Sequence, residues 1–375
     1  MIKRTILENI IKNVSPGFIN IIYGPRRVGK TVLLQQISDY YKEDNVLFLN
    51  GDTEEAQMAL ERTSEVRLSR LVEGKKLILI DEAQRIPNVS LSLKIIIDKF
   101  PDLKIFVTSS SSLSLARGAK ENLVGRNKSY RLFPLSFKEK TGDLENYQKD
   151  ALLSESLIFG AYPYLLKLGT KDEKIDYLKG IASDYLFKDV MMLERIDYAD
   201  AFKKLASLLA FQIGQPVSIN ELARSLGVDY KTVGRYLDLL EKSFVIFSVS
   251  SFSNNLRKEV VKSKKYYFYD LGIRNTLVGQ FSDFEVRDDA GALWENFLFL
   301  ERIKKNEYNG QNYNYYFWRG YQGKEIDFIE EKNEKLFAYE FKLKKKRFFT
   351  PKLFKDNYNL EADVVNRENY QDFIL

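Results

Sequence analysis

Neither cysteine nor histidine occurs in the 375 residues. Without cysteine there is no disulfide, no thiolate zinc site and no cysteine nucleophile. Without histidine there is no serine–histidine triad, no histidine-ligated nuclease metal and no zincin-type motif. Any hydrolytic chemistry therefore runs on carboxylates, lysine, magnesium and water. Long apolar runs are missing too. No stretch reaches the roughly eighteen residues of a membrane span, and the opening Met1-Ile2-Lys3-Arg4 has no signal-peptide layout. A cytoplasmic location with no membrane partner is the expectation.

What remains describes a globular chain, 45% hydrophobic and 29% charged. Its length exceeds one ordinary core and sets an expectation of two or three domains. A net charge of +6 permits nucleic-acid binding without requiring it. The 23 tyrosines and 26 phenylalanines are expected to fill cores.

The chemistry begins at Gly24-Pro25-Arg26-Arg27-Val28-Gly29-Lys30-Thr31. An apolar run, residues 18–22, precedes it, and Val32 opens a segment with helical spacing of apolar residues. Strand, glycine loop and helix thus follow in the order a phosphate-binding P-loop requires. Gly24 and Gly29 let successive N–H groups point inward at phosphate oxygens, and the helix N-terminus faces the same anion. Lys30 is expected to reach the β- and γ-phosphates of ATP and Thr31 to ligate Mg2+. Residues 24–32 form the expected nucleotide contact.

Some fifty residues on, Leu77-Ile78-Leu79-Ile80-Asp81-Glu82 is a buried-strand pattern ending in two acids. This is the Walker B arrangement, with Asp81 expected to hold magnesium and Glu82 to orient and deprotonate the attacking water. The strand at residues 103–108 runs into a serine turn, where Thr108, Ser109 and Ser110 all suit a polar sensor of the γ-phosphate; Ser110 is favoured. Arg126 is expected either to reach the γ-phosphate in its own chain or to enter a neighbour's site as a finger, with a surface salt bridge as the structural alternative. The finger reading implies a homo-oligomer.

The loop 24–31, the run through Gln84, the turn at 108–111, Gly125-Arg126 and Phe133-Pro134-Leu135-Ser136-Phe137 resemble archaeal and bacterial AAA-superfamily ATPases with a fused C-terminal domain of unknown function. Where that family places a glycine after the sensor threonine, this chain has Ser109. The resemblance implies a P-loop core over residues 1–138 and a helical lid over 139–197.

Residues 198–255 give three helical segments, a turn at Gly227-Val228-Asp229 and a following strand, the pattern of a winged helix-turn-helix. Asp229 is placed to cap the third helix. That helix offers Tyr230, Lys231, Thr232 and Arg235 to DNA, while docking to protein partners is the alternative.

Across residues 256–375, Asp327 on one strand and Glu340-x-Lys342 on the next resemble the PD-(D/E)XK nuclease fold. Asp327 and Glu340 alternate with apolar neighbours and are expected to face one magnesium. Lys342 lies two positions further on the same face to polarise water or phosphate. Glu295, on a preceding helix, completes the acidic group. Trp318-Arg319, residues 325–328 and residues 340–342 carry the family resemblance into this half. The basic run 342–347 is placed to follow a nucleic-acid backbone.

The expected fold is therefore α/β: a P-loop NTPase core with a parallel sheet, a helical lid, a winged helix-turn-helix and a C-terminal nuclease-like α/β domain. The expected activity is Mg2+-dependent ATP hydrolysis that moves the later domains, on DNA. The alternative is a nucleotide-dependent switch that docks proteins through an inactive nuclease-like scaffold.

Overall fold

A computed structural model describes the chain except residues 1, 43–44, 62, 111–122, 124, 143, 184–195, 254–263, 321–322 and 346. The end of the serine turn, much of the stretch before Arg126, the later part of the expected lid and Lys346 of the basic run lie outside the described residues. The chain divides into two compact units, one of residues 1–134 and 242–244, the other of 135–241 and 245–375.

The first unit opens with α1 (Ile6–Lys12), β1 (Ile19–Tyr23) and α2 (Lys30–Tyr41). Then follow β2 (Val46–Asn50), α3 (Glu54–Glu61), α4 (Glu65–Val72), β3 (Leu77–Asp81), α5 (Val89–Lys99), β4 (Lys104–Ser109) and β5 (Asn127–Arg131). Two short helices, α3 and α4, fill the polar stretch between β2 and β3. All five strands run parallel in the order β2-β3-β4-β1-β5. Every residue of β3 is buried, which suits a strand covered on both faces and explains its unbroken apolar run. Leu33, Leu34 and Ile37 of α2 are fully buried, while Leu93, Ile96 and Ile97 of α5 join a core with Ile78, Ile80 and Val107. β4 lies between β1 and β3, so its C-terminal tip separates the P-loop from the Walker B acids.

The second unit begins with α6 (Phe137–Thr141), α7 (Asn146–Phe159) and α8 (Lys171–Ile181). Next are α9 (Ala199–Phe211), β6 (Pro216–Val217), α10 (Ile219–Leu226), α11 (Tyr230–Lys242), β7 (Ile246–Ser251) and β8 (Lys264–Phe268). The C-terminal part supplies α12 (Leu271–Val278), α13 (Ala290–Tyr308), β9 (Asn314–Arg319), β10 (Glu325–Lys332), β11 (Lys335–Phe341), α14 (Lys352–Tyr358), β12 (Asp363–Val365) and α15 (Tyr370–Ile374).

The strands join one sheet ordered β12-β11-β10-β9-β7-β8-β6. Most neighbours are antiparallel, but β7 and β9 pair parallel at Ser250↔Tyr316 and Ser251↔Phe317. The segments expected as winged helix and as nuclease-like domain therefore share a sheet. Phe299 of α13 sits 5.7 Å from the Phe247 ring and 4.4 Å from the Phe328 ring, so one helix packs on strands from both segments. Much of the aromatic content is spent in this core. Among the described residues, no helix is long and apolar enough to cross a membrane.

Candidate nucleotide site and buried polar cluster

The loop between β1 and α2 is held by backbone that tolerates no side chain at two places. A Cβ on Gly24 would lie 2.1 Å from the Leu132 carbonyl oxygen, and Gly29 adopts φ +94° as it caps α2. Both positions therefore require glycine. Val28 is fully buried and anchors the loop. Pro25 is buried, Arg26 half-buried, Arg27 exposed with φ 62°, and Val32 exposed. Arg4, which carries no sequence motif, braces the loop from beneath. Its buried guanidinium donates to the Val28 carbonyl at 2.6 Å and to the Phe133 carbonyl at 2.8 Å.

Lys30 Nζ donates to the carbonyls of Gly24 at 3.1 Å and Pro25 at 3.0 Å, and lies 3.9 Å from Glu82. Burial lowers its pKa to about 8; Glu82 and Asp81 oppose that shift and Arg26 adds to it. The Thr31 hydroxyl donates to Asp81 Oδ2 at 2.6 Å. A hydroxyl and a carboxylate oxygen in contact at the end of β3 form the hard-oxygen set that Mg2+ takes, so these residues fit the ion that a P-loop implies. Held by Thr31 and Asp81, Mg2+ would supply charge neutralisation to a bound nucleotide.

The turn after β4 divides its labour. The Thr108 hydroxyl donates to Asp81 Oδ1 and accepts from the Glu82 N–H at 2.9 Å, fixing both acids. Ser110 is reached through Gln84, whose Nε2 donates to Ser110 Oγ at 2.8 Å and to Glu82 Oε2. Glu82 itself sits at φ 47°, where the chain turns sharply out of β3. Gln84 thus holds the carboxylate expected to act on water, while Thr108 fixes the backbone that carries it. Gln84 was visible in the sequence only as part of the family run.

Arg126 corrects an expectation. It immediately precedes β5, and Asn127 pairs with Ile19 at the start of β1, whereas the P-loop leaves the far end of β1, where Tyr23 pairs with Arg131. Six residues of extended chain separate the two ends, about 20 Å at the usual strand rise. The Arg126 guanidinium pairs with Asp98 at the end of α5. It does not reach the γ-phosphate position of its own loop.

In the second unit, Phe328 pairs with Tyr339, which sets Asp327 opposite Glu340 on adjacent antiparallel strands. Asp327 Oδ2 accepts from the Phe341 N–H at 2.9 Å, and Lys342 Nζ donates to Glu340 Oε1. Glu295 Oε1 accepts from the Tyr267 hydroxyl at 2.6 Å. Burial pushes Glu295 and Glu340 up to about 7, with Asp327 as the next cause for each, and burial raises Asp327 as well. The expected acidic residues thus do gather.

Lys265, unremarked in the sequence, stands among them. Its Nζ lies 3.3 Å from Glu295 and 3.1 Å from Glu325. Burial works against its charge, but Glu295, Glu325 and Asp327 outweigh that and hold the ammonium above its ordinary pKa. Among the described residues, no group of three or more acidic side chains has the geometry of a metal cage. What sets this group apart from a free-oxygen metal site is that the chain's own ammonium groups already stand at Glu295 and Glu340.

The site in the first unit has the parts of a P-loop NTPase core. Three family models match parts of the chain: residues 17–141 match "AAA domain", residues 150–283 match a domain of unknown function, DUF8612, and residues 290–372 match another, DUF4143. The first match supports an AAA-superfamily nucleotide-binding core. An uncharacterized protein of Methanocaldococcus jannaschii is 25% identical, over 98% of this chain and 87% of that one. An uncharacterized protein of Haemophilus influenzae is 26% identical, over 94% and 90%. Among solved structures, RuvB of Thermotoga maritima aligns at 16% identity with a TM-score of 0.30, covering 65% of this chain and 85% of that one. AMPPCP-bound DnaA from Aquifex aeolicus aligns at 18% with a TM-score of 0.29, covering 63% and 86%.

Proposed function

We propose that this chain binds ATP with Mg2+ at residues 24–32 and hydrolyses it to ADP and phosphate. The observation that carries the reading is the 2.6 Å contact of Thr31 with Asp81, beside Glu82 held by Gln84 and Thr108. Thr31 and Asp81 hold the metal, Lys30 neutralises the β- and γ-phosphates, and Glu82 orients and deprotonates water, with Ser110 beside it through Gln84. Phosphate release by the wild type should fall at least a hundredfold in Glu82→Gln while nucleotide binding persists. Equal and negligible rates in both proteins would sink the reading.

Nucleotide state acts on the second unit. There α9, β6, α10, α11 and β7 follow the order of a winged helix. Asp229 accepts from the N–H groups of Lys231 and Thr232 and so caps α11, leaving Tyr230 exposed at its start. This supports contact with DNA through Tyr230 and Lys231. Fluorescence anisotropy with labelled duplex should show affinity weakened about tenfold in Lys231→Glu; an unchanged affinity would count against it.

A second reading, a nucleotide-dependent switch whose nuclease-like segment is a docking scaffold for proteins, is favoured by the pairing of the C-terminal carboxylates with lysine and arginine. Hydrolysis then acts as a timer. Retained ATP turnover with no DNA affinity at any salt concentration would select it.

A further inference from the structure

Glu295, Glu325, Asp327 and Glu340 of the second unit are each engaged from within the chain. Lys265 Nζ bridges Glu295 at 3.3 Å and Glu325 at 3.1 Å. Arg319 Nε takes the other oxygen of Glu325 at 3.2 Å. Lys342 holds Glu340, and the Phe341 N–H holds Asp327. A divalent ion seated between Glu295 and Glu325 would stand against the buried Lys265 ammonium, and two like charges held together at low dielectric are costly.

Lys265 has nowhere to withdraw to. It is 1% exposed, and its backbone lies in a strand paired on both sides, with Val249 and with Pro216. Its Nζ stands 5.1 Å from the centre of the Phe317 ring, which adds a cation–π contact to the two carboxylates. A lysine so placed is a fixed charge, unlike a surface side chain that yields to an arriving ion.

We propose that Lys265 occupies the electrostatic position of the divalent cation in nuclease-like sites, so that residues 256–375 form a metal-independent module that does not cut phosphodiesters. The proposal rests on the nuclease-like reading of β9, β10 and β11 and is independent of ATP hydrolysis in the first unit. It also accounts for why a strand that reads as core, Lys265-Tyr266-Tyr267-Phe268, carries a buried lysine at its start.

The test is Mn2+ binding by the nucleotide-free full chain, followed as loss of the free-ion electron paramagnetic resonance signal, with cleavage of labelled duplex DNA in Mn2+ as a second readout. Wild type and Asp327→Asn should bind Mn2+ alike, because any ion they share is held elsewhere, and neither should cleave. Lys265→Met, which keeps the stem and removes the charge, should bind one further equivalent at least tenfold more tightly than the wild type, and adding Asp327→Asn should abolish that gain. Stoichiometric binding or cleavage by the wild type that disappears in Asp327→Asn would overturn the proposal while upholding the nuclease-like reading. No gain in a folded Lys265→Met would overturn both. If Lys265→Met does not fold, the comparison of wild type with Asp327→Asn still decides.

Discussion

Arg4 donates to the carbonyl of Val28 at 2.6 Å, joining a residue that precedes the first helix to the middle of the P-loop. The same guanidinium holds the Phe133 carbonyl beyond β5. Arg4→Met removes both bonds and leaves two carbonyls without this charged donor. Hydrogen bonds to charged groups contribute about 1.5–3 kcal/mol each. Urea unfolding of the first unit should therefore show a loss of at least about 2 kcal/mol, and titration with a fluorescent ATP analogue should show weaker binding.

Gln84 is a positioning residue between Glu82 and Ser110. In Gln84→Ala the Glu82 carboxylate loses its tether, and the turnover rate should fall about tenfold, within the range that general-base alignment commands. The Michaelis constant for ATP should stay near the wild-type value, since Gln84 touches neither the P-loop nor Thr31 by any hydrogen bond described. A purely structural role would weaken binding and turnover together.

Arg126 pairs with Asp98 at the end of the sheet away from the P-loop. Phosphate release by dilute Arg126→Ala should accordingly stay within about twofold of the wild type, since an exposed pair contributes only about 0–1 kcal/mol. Measuring the rate against protein concentration adds a check on the finger reading. A loss in the variant that grows with concentration would mark Arg126 as acting in a neighbour's site.

Asp270 caps α12 from a buried position, accepting from Ala161 N–H at 2.7 Å and Ile273 N–H at 3.1 Å. Burial raises its pKa to about 6, against those two bonds and the lowering pull of Lys304 and Lys140. The folded chain thus holds this proton more tightly than the unfolded chain does. The stabilisation is fully present below about 4 and lost as pH rises through about 6, by up to about 3 kcal/mol. Thermal unfolding between pH 4 and 7 should show this slope in the wild type and a flatter one in Asp270→Asn.

The two sites differed in how far the sequence disclosed them. Lys30, Thr31 and Asp81 were legible because the P-loop and Walker B motifs are contiguous, and each carries its strand or helix context with it. For Arg126 the sequence left a role in its own site, a role in a neighbour's and a surface salt bridge open, because spacing along the sequence does not say which end of a parallel strand a residue occupies; its side chain pairs with Asp98. Strand alternation set Asp327 and Glu340 apart from their apolar neighbours, and it is the register of β10 with β11 that places them opposite one another. Lys265 was not found, since its partners lie 30 and 60 residues away and come together only when β8, α13 and β10 assemble. Arg4 carried no signal at all: its partners are backbone carbonyls, which no side-chain pattern encodes.

The parallel seam between β7 and β9 also bears on how the chain can be divided. The two matched families abut between residues 283 and 290, which invites cutting there. Such a cut would strip a hydrogen-bonding partner from β7 in one fragment and from β9 in the other. Each fragment would carry a raw strand edge, the surface through which proteins stick to their own copies. Expressed together, the halves have a ready means of finding each other; expressed singly, each should be driven toward aggregation.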